Sequence, residues 1–106
     1  MKAEAGQMVL LWAPRIGVSV DKVFVRKMKT KWGSCNPTSG SIRLNLDLAK
    51  KPKDCVEYVI VHELIHLIEP THNARFQRLM NRFMPNWQIL KDQLNELPVA
   101  YAEVKR

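Results

Sequence analysis

Histidine and glutamate residues with the spacing of a metal site are concentrated in one short stretch of the chain. His62 and His66 enclose Glu63 in an HExxH pattern, and His72 follows soon after. The chain has 3 histidines, and all of them fall here. Residues four apart in an α-helix lie on one face, so the two imidazoles of the pattern can bind one zinc ion at about 2.0–2.1 Å each.

Glu63 and His72 favour a catalytic zinc site over a structural one. Glu63 lies one position round the helix from His62, where it is poorly placed as a ligand but can reach a water held by the metal. Pro70 ends the helix because it lacks an N–H and disfavours helical angles at Glu69. The chain can then turn back and present His72, and three histidines leave a fourth tetrahedral position for water.

The helix that carries this pattern is predicted to begin at Asp54, as N-cap, and to end before Pro70. Its residues are apolar almost all round, which is typical of a buried helix. Before it, alternating apolar and polar residues predict strands at 22–31 and 41–46. The turn-forming residues 36–40 between them indicate a hairpin, and hence an antiparallel sheet.

The remaining segments complete an α+β domain. Residues 8–13 predict an apolar turn or short helix ended by Pro14, residues 73–84 an amphipathic helix, and Trp87 to Leu97 a further helix. The predicted fold is a small antiparallel sheet packed on the HExxH helix, with two further helices. We expect a single domain over residues 1–106, with loose ends at 1–7 and 99–106.

Composition excludes some classes of protein and leaves one rival function open. No apolar run is long enough to span a membrane, and no signal peptide is recognisable. Cys35 and Cys55 form neither a CxxC motif nor a dense disulfide framework, so we expect two reduced thiols in a cytoplasmic protein. We also expect the protein to be a monomer. A net charge of +7 and a basic stretch at 22–31 are compatible with nucleic-acid association or with a solvated strand face.

Several motifs, in order along the chain, resemble the YgjP-like family of zinc metallopeptidases, which is related to the SprT-like and WLM zincins. The motifs are Lys31-Trp32-Gly33-Ser34-Cys35, Ile42-Arg43-Leu44-Asn45, residues 58–67 around HExxH, His72 with Phe76, and Met84-Pro85-Asn86-Trp87. The resemblance implies a zincin-like core with a zinc site of His62, His66 and His72 and with Glu63 as general base. It also implies a polypeptide substrate, in a cleft edged by a strand of the hairpin.

The chemistry expected of such a site is metal-assisted amide hydrolysis. Glu63 would take a proton from the attacking water and pass it to the leaving amine. Candidates for contact with the substrate or the developing oxyanion are Arg43, Asn45, Tyr58 and Tyr101. Residues 41–46 could in addition bind an extended peptide as an added strand.

Two alternatives stay open at the level of sequence. A later carboxylate, from Glu69, Glu96 or Glu103, could replace His72 as the third ligand, although His72 follows the helix break directly. A metal-stabilised nucleic-acid-binding module without catalytic turnover is the rival from another class, supported by the basic charge and the tryptophans.

Overall fold

The computed structural model describes residues 1–96. The elements, in order, are α1 (Lys2–Ile16), β1 (Lys22–Arg26), β2 (Gly33–Asn36), β3 (Ser41–Asn45), a 3₁₀ helix (Leu46–Lys50), α2 (Lys53–His66), α3 (Ala74–Phe83) and α4 (Trp87–Glu96). This mixture of helices with a small sheet confirms the α+β class. The predicted loose end at 99–106, with Tyr101 and Glu103, lies outside the described residues.

Helix α2 is the central element, as its apolar composition predicts. It contacts α1, α3, α4 and the sheet, and it is buried from Cys55 to His66 except at Glu57. Its first turn differs from the prediction, because Pro52 takes the cap position without a side-chain hydrogen bond. Glu57, three residues after Asp54, forms no capping box with it. Its carboxylate instead accepts a hydrogen bond of 2.7 Å from the indole Nε1 of Trp12 on α1.

The sheet has the strand order β1-β3-β2, and its pairing is mixed. β2 and β3 are antiparallel and joined by the predicted turn, in which Gly40 adopts a φ of 69°. β1 is parallel to β3, so the predicted antiparallel pairing of 22–31 with 41–46 is wrong. The hairpin partner of β3 is β2, because the turn joins these two strands directly. β1 ends at Arg26, and residues 27–32 cross to the far side of β3.

Asn45 holds that crossing segment in place. The residue is fully buried, and its Nδ2 donates to the backbone carbonyls of Met28 at 2.9 Å and Lys31 at 2.8 Å. Its Oδ1 accepts from the backbone N–H of Asp47 at 3.0 Å, which caps the 3₁₀ helix. The proposed substrate contact at Asn45 is therefore corrected to a structural role, since its amide is already committed to the backbone.

Replacing Asn45 by alanine should destabilise the fold strongly. The two carbonyls and the N–H would lose their partners, and each buried group left unsatisfied costs about 1–3 kcal/mol. We expect a loss of about 2–4 kcal/mol in the free energy of unfolding, measured by urea denaturation. Asn36→Ala is the matched control, because its Oδ1 accepts from Thr38 and Ser39 N–H groups in an exposed turn. Equal losses in both variants would contradict the role given to Asn45.

The N-terminal segment differs most from its prediction. Residues 1–7 are not a loose end, because α1 runs from Lys2 to Ile16 without interruption. One face of α1 is buried against the core, through Ala5, Met8, Val9, Ala13 and Ile16. Pro14 lies within the last turn, and the helix ends at Gly17, whose φ is 88° and whose N–H donates to the Ala13 carbonyl. Packing against α2 stabilises a helix that local sequence signals predicted only in part.

The two C-terminal helices agree with the sequence pattern. Asn73 caps α3 by accepting a hydrogen bond of 3.0 Å from the Phe76 N–H. The apolar stripe of α3 buries Phe76 and Met80, and α4 buries Trp87, Leu90 and Leu94. Among residues 1–96, no helix is both long enough and apolar enough to cross a membrane.

Candidate metal centre

The last two turns of α2 place His62 and His66 one above the other, as the spacing predicts. Their ring centroids are 4.5 Å apart. His62 is 1% exposed and His66 8% exposed, so both imidazoles sit in the protein interior. Burying two such polar rings is unfavourable unless their nitrogens are satisfied.

The loop after α2 brings the third histidine to the same point. α2 ends at His66, and the carboxylate of Glu69 then accepts hydrogen bonds from the backbone N–H and hydroxyl of Thr71 at 3.3 and 3.0 Å. These bonds are the main cause of the lowered pKa of Glu69. Arg75 lies 3.6 Å from the same carboxylate. The loop is thereby folded back so that His72 faces the helical histidines.

The three ring nitrogens have the spacing of a metal ligand set. His72 Nε2 lies 3.0 Å from His66 Nε2 and 3.3 Å from His62 Nε2. Tetrahedral ligands at about 2.0–2.1 Å from a zinc ion lie about 3.3 Å from one another. His62, His66 and His72 together form a group able to hold a metal ion.

The partners of the outer ring nitrogens assign the tautomers. His66 Nδ1 lies 2.9 Å from the Glu69 carbonyl, which can only accept, so Nδ1 carries the hydrogen and Nε2 keeps its lone pair. His62 Nδ1 lies 3.2 Å from the Glu63 carboxylate, which has the same effect. A hydrogen on His72 Nε2 can be donated fully to only one of the two facing lone pairs. A cation satisfies all three nitrogens, so the donor set fits a metal.

Burial keeps the second histidine in its metal-binding form. Desolvation is the largest cause of the lowered pKa of His66, and the neighbouring His62 lowers that pKa further. The neutral imidazole is the form that coordinates a metal. His66 is therefore neutral and ready to bind at physiological pH.

Phe76 forms an apolar floor under the three imidazoles. It is 3% exposed and stacks on His66 with a centroid distance of 4.5 Å. It also makes edge contacts with His62 at 5.1 Å and His72 at 5.0 Å. The sequence pattern assigned Phe76 to the core face of α3, but not to this contact. Its position one helical turn after His72 is the signal that could have indicated it.

Glu63 lies between this cluster and the edge of the sheet. It is 2% exposed, and a Cβ added at Gly33 of β2 would lie only 3.2 Å from Glu63 Cγ and 2.9 Å from Val59 Cγ1. Only glycine lets β2 approach α2 so closely. Between them lies a cleft of about 310 Å³, lined by Lys31, Gly33, Ser34, Cys35, Pro37, Glu63, His66, Pro70 and His72. Glu63 thus faces the same space as two of the histidines.

The other residues singled out from the sequence do not belong to the group of three histidines. Tyr58 is fully buried and packs edge-on behind His62 at 5.8 Å, which makes it a support for the ring. Arg43 is exposed and lines a neighbouring cleft. Glu69 and Glu96, the alternative third ligands, do not belong to the cluster. Glu69 instead braces the loop that carries His72.

Two proteins of known structure with a similar fold are metallopeptidase zymogens. The structure resembles the crystal structure of the metallopeptidase zymogen abylysin from Pyrococcus abyssi, with a TM-score of 0.77 and 20% identity over 85% of this chain and 90% of that chain. It also resembles the metallopeptidase zymogen jannalysin from Methanocaldococcus jannaschii, with a TM-score of 0.67 and 19% identity over 88% of this chain and 91% of that chain.

The sequence itself identifies the family. Residues 1–97 match the YgjP-like metallopeptidase domain. The chain therefore belongs to the YgjP-like metallopeptidase family, and the resemblance drawn from its motifs is confirmed. A comparison with curated proteins gave no match.

Proposed function

We propose that this chain is a zinc-dependent peptidase in which His62, His66 and His72 hold the metal and Glu63 is the general base. The observation that carries the proposal is the convergence of three imidazole nitrogens beside a buried carboxylate, in an open cleft. Nitrogen ligands in tetrahedral spacing suit zinc, and three of them leave a position for the reaction.

Glu63 supplies the proton transfers of the reaction. Zinc bound to the three histidines would supply Lewis acidity, polarising the substrate carbonyl and making water acidic near neutral pH. Glu63 accepts the proton of the attacking water at its carboxylate and delivers it to the leaving amine. Its burial beside Val59 and Gly33 strengthens these interactions, because bulk water is displaced from the carboxylate.

The strand that borders the cleft is β2, which revises the predicted mode of substrate binding. β3 is the central strand, paired with β1 on one side and β2 on the other, so residues 41–46 cannot receive an added strand. β2 is an edge strand, and its residues Gly33, Ser34 and Cys35 line the cleft. A polypeptide lying extended along β2 would pass the histidine cluster, with main-chain contacts that do not depend on sequence.

Zinc reconstitution tests the proposal. Protein stripped with a chelator should bind about one zinc ion per chain, and its cleavage of fluorescein-labelled casein should appear only with the zinc-loaded form. Mg²⁺ is the control, because it prefers oxygen ligands and should not restore cleavage. Metal content is measured by elemental analysis and cleavage by fluorescence. Folded protein that binds zinc but leaves casein intact would contradict the assignment as a peptidase.

The competing function, a nucleic-acid-binding module without turnover, gains no support from the family match or from the structural neighbours. The basic stretch is divided between β1 and the crossing segment that Asn45 anchors. The lysine and arginine side chains of residues 22–31 are therefore interpreted as the solvated side chains of an edge strand and a loop.

A further inference from the structure

A second cleft adjoins the candidate metal centre on the other face of β2. It measures about 230 Å³ and is lined by Ser34, Cys35, Asn36, Pro37, Ser41 and Arg43. Ser34, Cys35 and Pro37 line both clefts, so the two spaces meet round the edge of β2. A ligand bound in one cleft can therefore extend into the other.

Arg43 gives the second cleft its charge. It is the one charged residue among the described residues that line the cleft. Ser34 is the register partner of Arg43 on β2. Arg43 lies over the Phe24 ring at 5.8 Å and forms no ion pair with an acid among residues 1–96. Its fork of N–H donors suits a carboxylate.

The alternation of side chains along a strand connects this cleft to the substrate. On β2, Gly33 and Cys35 face α2, while Ser34 faces the outer side of the sheet with Arg43. An extended peptide lying along β2 has the same period of two. Side chains at alternate positions would point to the metal centre and to the Arg43 cleft in turn.

We propose that Arg43 selects an acidic side chain of the substrate, making this chain a peptidase that prefers aspartate or glutamate near the scissile bond. The inference rests on the proposed function and on a peptide lying along β2. It narrows the substrate class from polypeptides in general to those with a carboxylate at one position in the alternating register.

Fluorogenic peptides that differ only in the placement of one glutamate or its isosteric glutamine test the preference. For the zinc-loaded wild type, we expect kcat/KM to be about twofold to fivefold higher for the glutamate peptide than for the glutamine peptide at one position, the upper range for an exposed ion pair. Arg43→Gln should bring that ratio to about one, and Arg43→Glu should favour a lysine peptide instead. Raising the ionic strength should shrink the wild-type ratio, because exposed charges are screened.

Arg26→Gln is the matched control. Its guanidinium lies over the same Phe24 ring at 5.5 Å, but Arg26 does not line the cleft. This variant should keep the wild-type ratio. Wild-type protein that cleaves glutamate and glutamine peptides equally at every position would overturn the role of Arg43 while leaving the peptidase assignment intact. If no peptide and no casein is cleaved by zinc-loaded protein, both proposals fail.

Discussion

Glu63→Gln is expected to abolish peptide hydrolysis while leaving the metal in place. A glutamine amide cannot accept the proton of the attacking water, and loss of a general base lowers kcat by about 10²–10⁴-fold. The metal should remain, because the ligands are untouched and the amide oxygen of glutamine can still accept a hydrogen bond from His62 Nδ1. The measurements are casein cleavage at saturating substrate and zinc content by elemental analysis.

A stability measurement and a control variant distinguish loss of the general base from loss of the fold. Glu63 is 2% exposed, so exchanging its charge for an amide should not destabilise the metal-free protein. Glu57→Gln is the control on the same helix, because its carboxylate contacts Trp12 rather than the cleft. That variant should keep its hydrolytic activity. A Glu63→Gln protein that retains most of the wild-type kcat would rule out Glu63 as the base.

His72→Ala is expected to weaken zinc binding by at least about a hundredfold, since even residues that only support a metal ligand contribute tenfold to a hundredfold. The loss should appear as a smaller rise in melting temperature when zinc is added, because a hundredfold difference in affinity corresponds to about 2.7 kcal/mol of stabilisation. His72 is exposed, so the metal-free variant should unfold at nearly the same temperature as the metal-free wild type.

The companion variant Glu69→Gln separates the two candidates for third ligand. Glu69 braces the loop through Thr71 and Arg75, and its carboxylate is not part of the histidine cluster. Its replacement should therefore loosen the loop but retain zinc. Full zinc occupancy in His72→Ala, with loss of zinc in Glu69→Gln, would transfer the ligand role to the carboxylate.

The grouping of the three histidines could be predicted from the sequence because its main determinants are local. The helical period fixes His62 and His66 on one face, and Pro70 ensures that the helix does not continue. The stripe of α3 and the turn before β3 also follow from short-range patterns, and the structure confirms both. What the sequence could not supply was the direction from which each further group approaches the cluster.

Non-local packing decided the parts that were predicted wrongly or missed. α1 is stable along its whole length because one face is buried on α2, and β1 pairs in parallel with the side of β3 that β2 leaves free. Both depend on contacts between residues far apart in the chain, for which local periodicity carries no signal. The same holds for Asn45, whose partners lie in the crossing segment rather than in the cleft.

The sequence by itself determined which groups can bind a metal and move a proton, because residue type and helical spacing are properties of the chain. The tertiary structure alone decided that His72 lies against the two helical histidines, that glycine at position 33 lets β2 approach Glu63, and that Arg43 lines an adjoining cleft. These are distances between separate elements. They are fixed only when the elements pack together and exclude water.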